Sequence, residues 1–460
     1  MKIFYGLAVA LFLFEGIIIQ CEGANEFRDA PVIDEQYLPD HLIGEILSKA
    51  GLNVTKEMAQ AQMKVAGDAI RRVFETRIIA IQEYPDMAET IEVYDGEQIL
   101  LIRNHTKLMS LFEQFGSHAR RIHISYESMD KERRREINEK IMKRCANQLT
   151  ELQILTRDDT GIWEEMSNGK RDIRFPKVEH FIFLGSSKRN KFDLNAIFPR
   201  LKFFSFPFGS VTDTNCLANV RNLKELKLYI ESIQEHQLGN IFANNKHISK
   251  LTLKTHIRKT IKRETLRSIE SLKNLKTLEI NKVSPDFFNR ASNRVYNLTS
   301  VTTFVTMCRE PIKLNRDFSF DMPNLKHLRL CGTNSDNRTS DLINHFKSLE
   351  TVLLFGDCEF NVIECIESLK YVKEFTTSTY FNIGQISLFR KLFENFDTTK
   401  SNLNKLVIDI DETESEYFLW EDAMREINNK LKESNKPTWT LSHGIWEEFR
   451  KNHLEFKRNT

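Results

Sequence analysis

Residues that interrupt regular structure are scarce in this chain: its 460 residues include only 17 glycines and 10 prolines. Disordered and low-complexity segments are usually rich in such residues and poor in hydrophobic ones. Here 41% of the residues are hydrophobic, and 33 of them are phenylalanine. The composition therefore excludes a disordered chain and predicts a folded one with a sizeable core.

An excess of one charge is also missing. The chain has 66 lysines and arginines against 64 aspartates and glutamates, which gives a formal net charge of +2. Nucleic acids and anionic membranes attract proteins with a marked basic surplus. We therefore expect no nucleic-acid partner.

Catalytic and cofactor motifs are absent from the sequence as well. It contains no nucleophile elbow, P-loop, G-x-G-x-x-G, H-E-x-x-H or EF-hand pattern. His41 and Glu45 are one helical turn apart, but a zinc site needs three or four convergent ligands. The sequence therefore predicts a protein that is not an enzyme and that holds no cofactor and no metal.

Cysteine is sparse and forms no recognisable framework. Cys21 belongs to the N-terminal segment discussed below, and the six others show no C-x-x-C metal pair and no compact disulfide spacing. They are Cys145, Cys216, Cys308, Cys331, Cys358 and Cys365. A few disulfides and six reduced thiols are both compatible with this pattern.

The chain begins with the pattern of a secretory signal peptide. Lys2 precedes an apolar run over residues 3–14, and small residues, Cys21 and Gly23, stand where a signal peptidase would cleave before Ala24. We expect a secreted protein with no membrane span after cleavage. The alternatives are an uncleaved anchor, or a cytoplasmic protein if the segment is not a working signal. Four glycosylation sequons fit the secretory pathway, at Asn53, Asn104, Asn297 and Asn337.

One short motif, L-x-x-L-x-L, recurs along most of the chain. It predicts a strand with inward apolar side chains, followed by a turn and a helix. The twelve copies begin at Ala119, Leu149, Val178, Leu201, Leu223, Ile248, Leu275, Val301, Leu325, Leu349, Val372 and Leu403. The inner copies are 22 to 27 residues apart, which is the period of leucine-rich repeats.

This periodicity predicts an α/β fold: a curved leucine-rich-repeat solenoid with a parallel sheet inside and helices outside. Amphipathic helical patterns lie between strands at 263–273, 340–347 and 386–396. A small all-α region is expected before the repeats, since residues 38–77 show helical periodicity instead.

That earlier region carries a family resemblance. An L-P-D start at Leu38, an I-L pair and then a basic helix, placed ahead of leucine-rich repeats, resemble an F-box/leucine-rich-repeat protein of the insect type. The resemblance implies a substrate-recognition subunit of an SCF-type ubiquitin ligase, whose repeats hold the target. It also implies that certain residues dock on the Skp-type linker subunit, namely Leu38, Pro39, Ile46, Leu47 and Val65.

Two alternatives stay open for the F-box-like region. It could dock on the ligase, or it could serve only as a helical cap in a secreted leucine-rich-repeat binding protein that has lost this docking. Ala66 and Ala69 stand where the family has cysteine and tryptophan, and an aromatic anchor often carries much of an interface's binding energy.

The predicted domain organisation has six parts. They are a signal peptide (1–23), a linker (24–37), an F-box-like helical region (38–80), a connecting or capping segment (81–118), about twelve leucine-rich repeats (119–432) and a C-terminal cap (433–460).

The binding surface of the repeats follows from strand geometry. Side chains alternate along a strand, so residues between the inward ones point to the concave face. The residues predicted to bind a partner there are Lys227, Tyr229, Lys250, Lys254, Glu279, His327, Arg329 and Phe355. A mixed basic and apolar strip suits a protein ligand.

Overall fold

The computed structural model describes most of the chain after residue 70. The described residues are 71–72, 74–81, 91–95, 98–102, 109, 112–127, 129–156, 174–184, 193–208, 217, 219–230, 235–255, 261, 266–281, 283, 287–289, 295–307, 318–331, 339–355, 362–381, 386–396, 401–410, 417–446 and 451–459. The predicted signal peptide, the linker and residues 38–70 of the F-box-like region lie outside them.

The chain divides into two compact units, Met1–Leu201 and Lys202–Thr460. The strands of the first unit are β1 (Ile78–Ile81), β2 (Ile91–Asp95), β3 (Gln98–Ile102), β4 (Arg121–Ser125), β5 (Glu151–Leu155) and β6 (His180–Leu184). Four of them form a parallel sheet in the order β1-β4-β5-β6, and β2 and β3 form an antiparallel hairpin.

The strands of the second unit form one large sheet and a small pair. They are β7 (Phe203–Phe208), β8 (Glu225–Tyr229), β9 (Lys250–Lys254), β10 (Thr277–Asn281), β11 (Tyr296–Asn297), β12 (Thr303–Met307), β13 (Phe320–Asp321), β14 (His327–Cys331), β15 (Thr351–Phe355), β16 (Glu374–Phe381), β17 (Lys405–Ile410), β18 (Trp439–Trp446) and β19 (Lys451–Arg458). The sheet order is β7-β8-β9-β10-β12-β14-β15-β16-β17-β19-β18. All strands through β17 are parallel, and the final hairpin is antiparallel.

Helices lie between many of these strands. They are α1 (Lys131–Ile137), continued by a π-helical segment (Asn138–Met142) and α2 (Lys143–Cys145), then α3 (Leu194–Ile197), α4 (Glu235–Asn244), α5 (Leu266–Ile269), α6 (Thr339–His345), α7 (Val362–Ser368), α8 (Ile386–Asn395) and α9 (Tyr417–Glu433). A 3-10 turn spans Gly116–His118. Helices alternating with parallel strands confirm the predicted α/β class.

A hydrogen-bond pattern repeats at the entrance of the strands in the second unit. One carbonyl before each strand accepts the N–H groups of two consecutive residues at the entrance of the next strand. The accepting carbonyls belong to Lys202, Lys224, Ser249, Lys276, Thr302, Lys326, Glu350 and Lys373, with N···O distances of 2.7–3.2 Å. Successive strands therefore enter the sheet at one constant register.

One face of this sheet is buried by two continuous rows of side chains. The first row comprises Leu226, Leu251, Leu278, Phe304, Leu328, Val352, Phe375, Leu406 and Phe456, none more than 2% exposed. The second row comprises Leu228, Leu253, Ile280, Thr306, Leu330, Leu354, Thr377, Ile408 and Leu454, all fully buried. Apart from Leu454 and Phe456 on β19, these are the inward positions of the recurring motif, and the strand pleat places them on one side.

A buried amide repairs one irregular turn. In the repeats that begin at Leu275 and Leu325, the N–H of the first motif residue donates to the carbonyl three residues earlier. At Leu223 the preceding residue, Asn222, has a positive φ of 69°, and the fully buried Asn245 takes over. Its Oδ1 accepts the Leu223 N–H at 3.0 Å, and its Nδ2 donates to the Val220 carbonyl at 2.9 Å.

The C-terminal end of the core is closed by an aromatic cluster. The ring of Phe389 on α8 lies 5.5 Å from Trp420 on α9 and 6.0 Å from Phe456 on β19, measured between centroids. The Phe393 ring lies 5.1 Å from that of Trp439 on β18. The antiparallel hairpin and α9 thus cover the last parallel repeat.

Candidate binding face on the C-terminal sheet

The opposite side of the second unit's sheet is its accessible side, and we call it the exposed sheet face. It is made by the first, third and fifth residues of the strands from β8 to β15. In β10, for example, Thr277 and Glu279 are half-buried, whereas the alternating Leu278 and Ile280 are fully buried. The pleat therefore presents every second side chain to a ligand.

The structure places all eight residues predicted for the concave face on this exposed sheet face. Lys250 and His327 are exposed. The others are half-buried, namely Lys227, Tyr229, Lys254, Glu279, Arg329 and Phe355. Strand register divides most of them between two patches.

The first patch, here called the lysine patch, spans β8, β9 and β10. Lys227 lies opposite Thr252 in the register, and Thr252 lies opposite Glu279. The Thr252 hydroxyl donates to Glu279 Oε2 at 3.2 Å. At the strand entrance, Lys250 Nζ lies 3.6 Å from Glu225 Oε2. Both Lys254 and Glu279 act electrostatically on the ammonium group of Lys227.

Within the lysine patch, the charged form of Lys227 is disfavoured by its surroundings. Burial lowers the pKa of its ammonium from the ordinary value of 10.5, and the nearby charge of Lys254 lowers it further. The Glu279 carboxylate acts in the opposite direction. Since burial and a like charge both disfavour the protonated form, an anionic group from a ligand would be favoured at this position.

The second patch, here called the apolar patch, spans β12, β14 and β15. Val305, Leu353 and Phe355 are half-buried there. Arg329 lies between Val305 and Leu353 in the register, and its guanidinium carbon is 4.4 Å from the centre of the Phe355 ring. This cation–π contact holds the ring beside the aliphatic side chains, which leaves a hydrophobic shelf bordered by a cation.

His327 lies at the strand-entrance edge of the apolar patch. Its Nδ1 is 2.7 Å from the hydroxyl oxygen of Thr351, directly across the register. The contact fixes the imidazole beside β15 and leaves it exposed.

The two patches adjoin on the sheet, since Glu279 on β10 lies opposite Val305 on β12. From β9 to β15 there are four strand steps in the sheet order, which at about 4.8 Å per step corresponds to roughly 19 Å. A ligand that touches both patches must therefore extend across the strands.

Sequence reasoning missed the partners that fix these side chains. Glu225, Thr252 and Thr351 were not among the predicted residues, although the same alternation places them on the exposed sheet face. The motif copies align these residues across neighbouring strands, but they do not show which of the aligned side chains are in contact.

Of the remaining predicted positions, only Asn297 lies among the described residues. Asn297 lies on β11 with an exposed side chain, and its N–H donates to Glu270 Oε1 at 2.8 Å. The other sequons and the predicted F-box contacts lie outside the described residues, namely Asn53, Asn104, Asn337, Leu38, Pro39, Ile46, Leu47 and Val65.

The described part of the chain contains no group of three or more His, Cys, Asp or Glu side chains that could hold a metal ion. None of the helices described above is long and apolar enough to cross a bilayer.

No protein-family model matches this chain, and no curated protein matches it.

Proposed function

We propose that this chain is a leucine-rich-repeat solenoid whose function is to bind another protein on the exposed sheet face. The constant register at the strand entrances carries this proposal, because identical units stacked at one register are the basis of a solenoid. The spacing of the shared carbonyls repeats the spacing of the sequence motif, from Lys202 through Lys373.

The chemistry of the face favours a protein ligand. The lysine patch offers cations to an acidic side chain, and the apolar patch offers a shelf for a hydrophobic one. Protein interfaces combine such an apolar centre with aromatic and arginine contacts and a polar rim. The cation–π pair of Arg329 and Phe355 provides both residue types at one point.

The biological setting has two candidates that share this face. In the first, the chain is the substrate-recognition subunit of an SCF-type ubiquitin ligase, docked through its F-box-like region and supported by the resemblance of that region. In the second, it is a secreted binding protein without ligase docking, which the N-terminal signal pattern supports. Both use the repeats to hold a protein.

Charge reversal tests the binding face. The triple variant Lys227→Glu, Lys254→Glu and Arg329→Glu should lose affinity for the protein captured by the wild-type chain, while its circular dichroism spectrum is retained. The matched control reverses three exposed lysines away from the face, Lys347, Lys391 and Lys432. Undiminished capture by the first variant, or an equal loss in the control, would refute the proposed surface.

The compartment is tested separately with a C-terminal tag. A mature N-terminus at Ala24 and protein in the medium support the secreted binding protein. An intact Met1 together with co-purification of the Skp-type linker subunit supports the ligase subunit.

A further inference from the structure

The second unit's sheet ends at β18 (Trp439–Trp446), which among the described strands pairs only with β19. The Asn459 N–H donates to the Thr438 carbonyl at 2.8 Å. In an antiparallel ladder the bonding side alternates with each residue, so even-numbered positions bond to β19. The backbone groups of four odd-numbered positions therefore point away from the sheet, at Trp439, Leu441, His443 and Ile445.

The outward backbone groups of Trp439, the first of these positions, already have hydrogen-bond partners. Asn428 on α9 accepts the Trp439 N–H on Oδ1 at 2.9 Å and donates Nδ2 to the Trp439 carbonyl at 2.8 Å. One side-chain amide thus satisfies both backbone groups, as a neighbouring strand would. No hydrogen bond from the described residues reaches the outward backbone groups of Leu441, His443 and Ile445. These three residues form an open edge.

The composition of the open edge is unusual. Natural sheets protect their edges with lysine, proline, bulges or a covering segment, because bare edges associate. β18 (WTLSHGIW) contains no Lys, Arg, Asp, Glu or Pro, whereas the inner strand β19 (KNHLEFKR) contains four charged Lys, Arg or Glu residues. Charge is therefore present one strand inward and missing at the edge. This pattern favours a strand that is paired in the working protein.

We propose that β18 pairs antiparallel with β18 of a second copy of this chain, about a twofold axis at His443. This register aligns Leu441 with the partner's Ile445, and each outward position then exchanges two hydrogen bonds with its counterpart. The strand is thus complementary to itself, as an isologous interface requires, and twofold dimers are the commonest soluble oligomers.

Side chains near this axis leave room for the approach. Gly444 would lie opposite the partner's Ser442, and both are small. A Cβ on Gly444 would stand 2.6 Å from Cε1 of His453, so the imidazole of β19 lies directly over this glycine. The glycine therefore lets β19 and the edge strand approach closely. The imidazole of His443, which lies on the axis, is 5.2 Å from the Tyr417 ring of α9, measured between ring centroids.

Sedimentation velocity of the full chain over a wide concentration range tests the proposal. The wild type should be a dimer at the upper concentrations. Ser442 is exposed, and the two copies of residue 442 would be diagonal neighbours within reach of long side chains. Ser442→Lys and Ser442→Glu should each weaken the dimer, by about tenfold in Kd if like-charge repulsion costs about 1.4 kcal/mol. An equal mixture of the two variants should restore it.

Controls separate this edge from other surfaces. Ser434→Lys makes the same change of charge at an exposed turn residue before β18 and should leave the dimer intact. Amide hydrogen exchange at Leu441 and His443 should be slow in the wild type and faster in Ser442→Lys.

Three results would overturn the proposal. They are a wild type that stays monomeric with fast-exchanging edge amides, a monomer whose edge amides are slow because another segment of the chain covers them, and a dimer indifferent to both Ser442 variants. None of them bears on the partner-binding face proposed above.

Discussion

The buried and exposed faces of the second unit's sheet are built from alternating residues of the same strands, yet they differ sharply in chemistry. The buried rows are almost entirely Leu, Ile, Val and Phe, with Thr306 and Thr377 as polar members. The exposed sheet face mixes lysine, glutamate, threonine, arginine and phenylalanine. The difference teaches that burial restricts the inward positions to one chemistry, because a buried polar group is costly unless it is hydrogen-bonded. The chemistry of the outward positions is constrained only by the side chains beside them on neighbouring strands.

The largest loss of stability is expected from removing the amide of Asn245, because this polar side chain on the core side is buried and essential. Asn245→Ala loses hydrogen bonds to Leu223, Val220 and Ile241. At about 1 kcal/mol each, plus the cost of stranded backbone groups, the free energy of unfolding should fall by 3 to 4 kcal/mol, roughly. Urea denaturation measures it. Asn240→Ala, on an exposed position of α4, should change it by less than about 0.5 kcal/mol.

Truncating adjacent residues on the two faces compares them directly. Leu278 is fully buried and Glu279 is half-buried on the same strand. Leu278→Ala should destabilise the unit by about 3 kcal/mol through lost burial and a new cavity. Glu279→Ala should cost only about 1 kcal/mol, because it removes the acceptor of the buried Thr252 hydroxyl. Similar losses for the two variants, measured by urea denaturation, would contradict the separation of core and binding face.

Thr306 offers a change of opposite sign. Its hydroxyl is fully buried and has no hydrogen-bond partner among the described residues. Thr306→Val keeps the side-chain shape and removes the unsatisfied hydroxyl. The free energy of unfolding, measured by thermal unfolding, should therefore rise by about 1 kcal/mol. Thr377→Val is the control, because Thr377 is equally buried but has an interaction partner. It should give no such gain.

The smallest effect is expected at Lys227, where a half-buried charge costs stability. Because the pKa of this lysine is lowered in the folded state, its charged form opposes folding at neutral pH. Lys227→Met should therefore raise the melting temperature slightly at pH 7, while weakening partner binding. The wild type gains stability as the pH rises through the folded-state pKa toward 10.5, so the difference between the two proteins should narrow there.

Lys224→Met supplies the control, since Lys224 is exposed. It should leave the melting temperature at pH 7 close to that of the wild type. If the two variants follow the same curve, desolvation of Lys227 is not the cause.

Local pattern was sufficient for much of the fold. The motif that begins at Leu223 corresponds to strand Glu225–Tyr229, and the pattern over 386–396 corresponds to helix Ile386–Asn395. Both rely on neighbours a few residues apart, whose periodicity is set by the strand pleat or the helical turn. The residues of the exposed sheet face were found by the same alternation, and their role in binding stays a prediction.

Other features left no local signal. The β2–β3 hairpin and the strand β1 carry no copy of the motif, although β1 pairs in parallel with β4. The antiparallel pairing of β19 with β17 joins residues about 50 positions apart, such as Lys405 and Lys457. Such pairings depend on which surfaces remain uncovered after the rest has packed, and a single-sequence pattern does not contain this information.

The sequence by itself determined which side chains face the core, because a period of two within strands and 22 to 27 residues between them leaves only one way to bury the leucines. The tertiary structure decided the lateral order: that Lys227 meets Lys254, that Arg329 covers Phe355, and that Asn428 closes only the first position of the sheet edge. These contacts join residues 11 to 27 positions apart in chain segments of unequal length. Their alignment is fixed by backbone hydrogen bonds and core packing, which act only once the chain has folded.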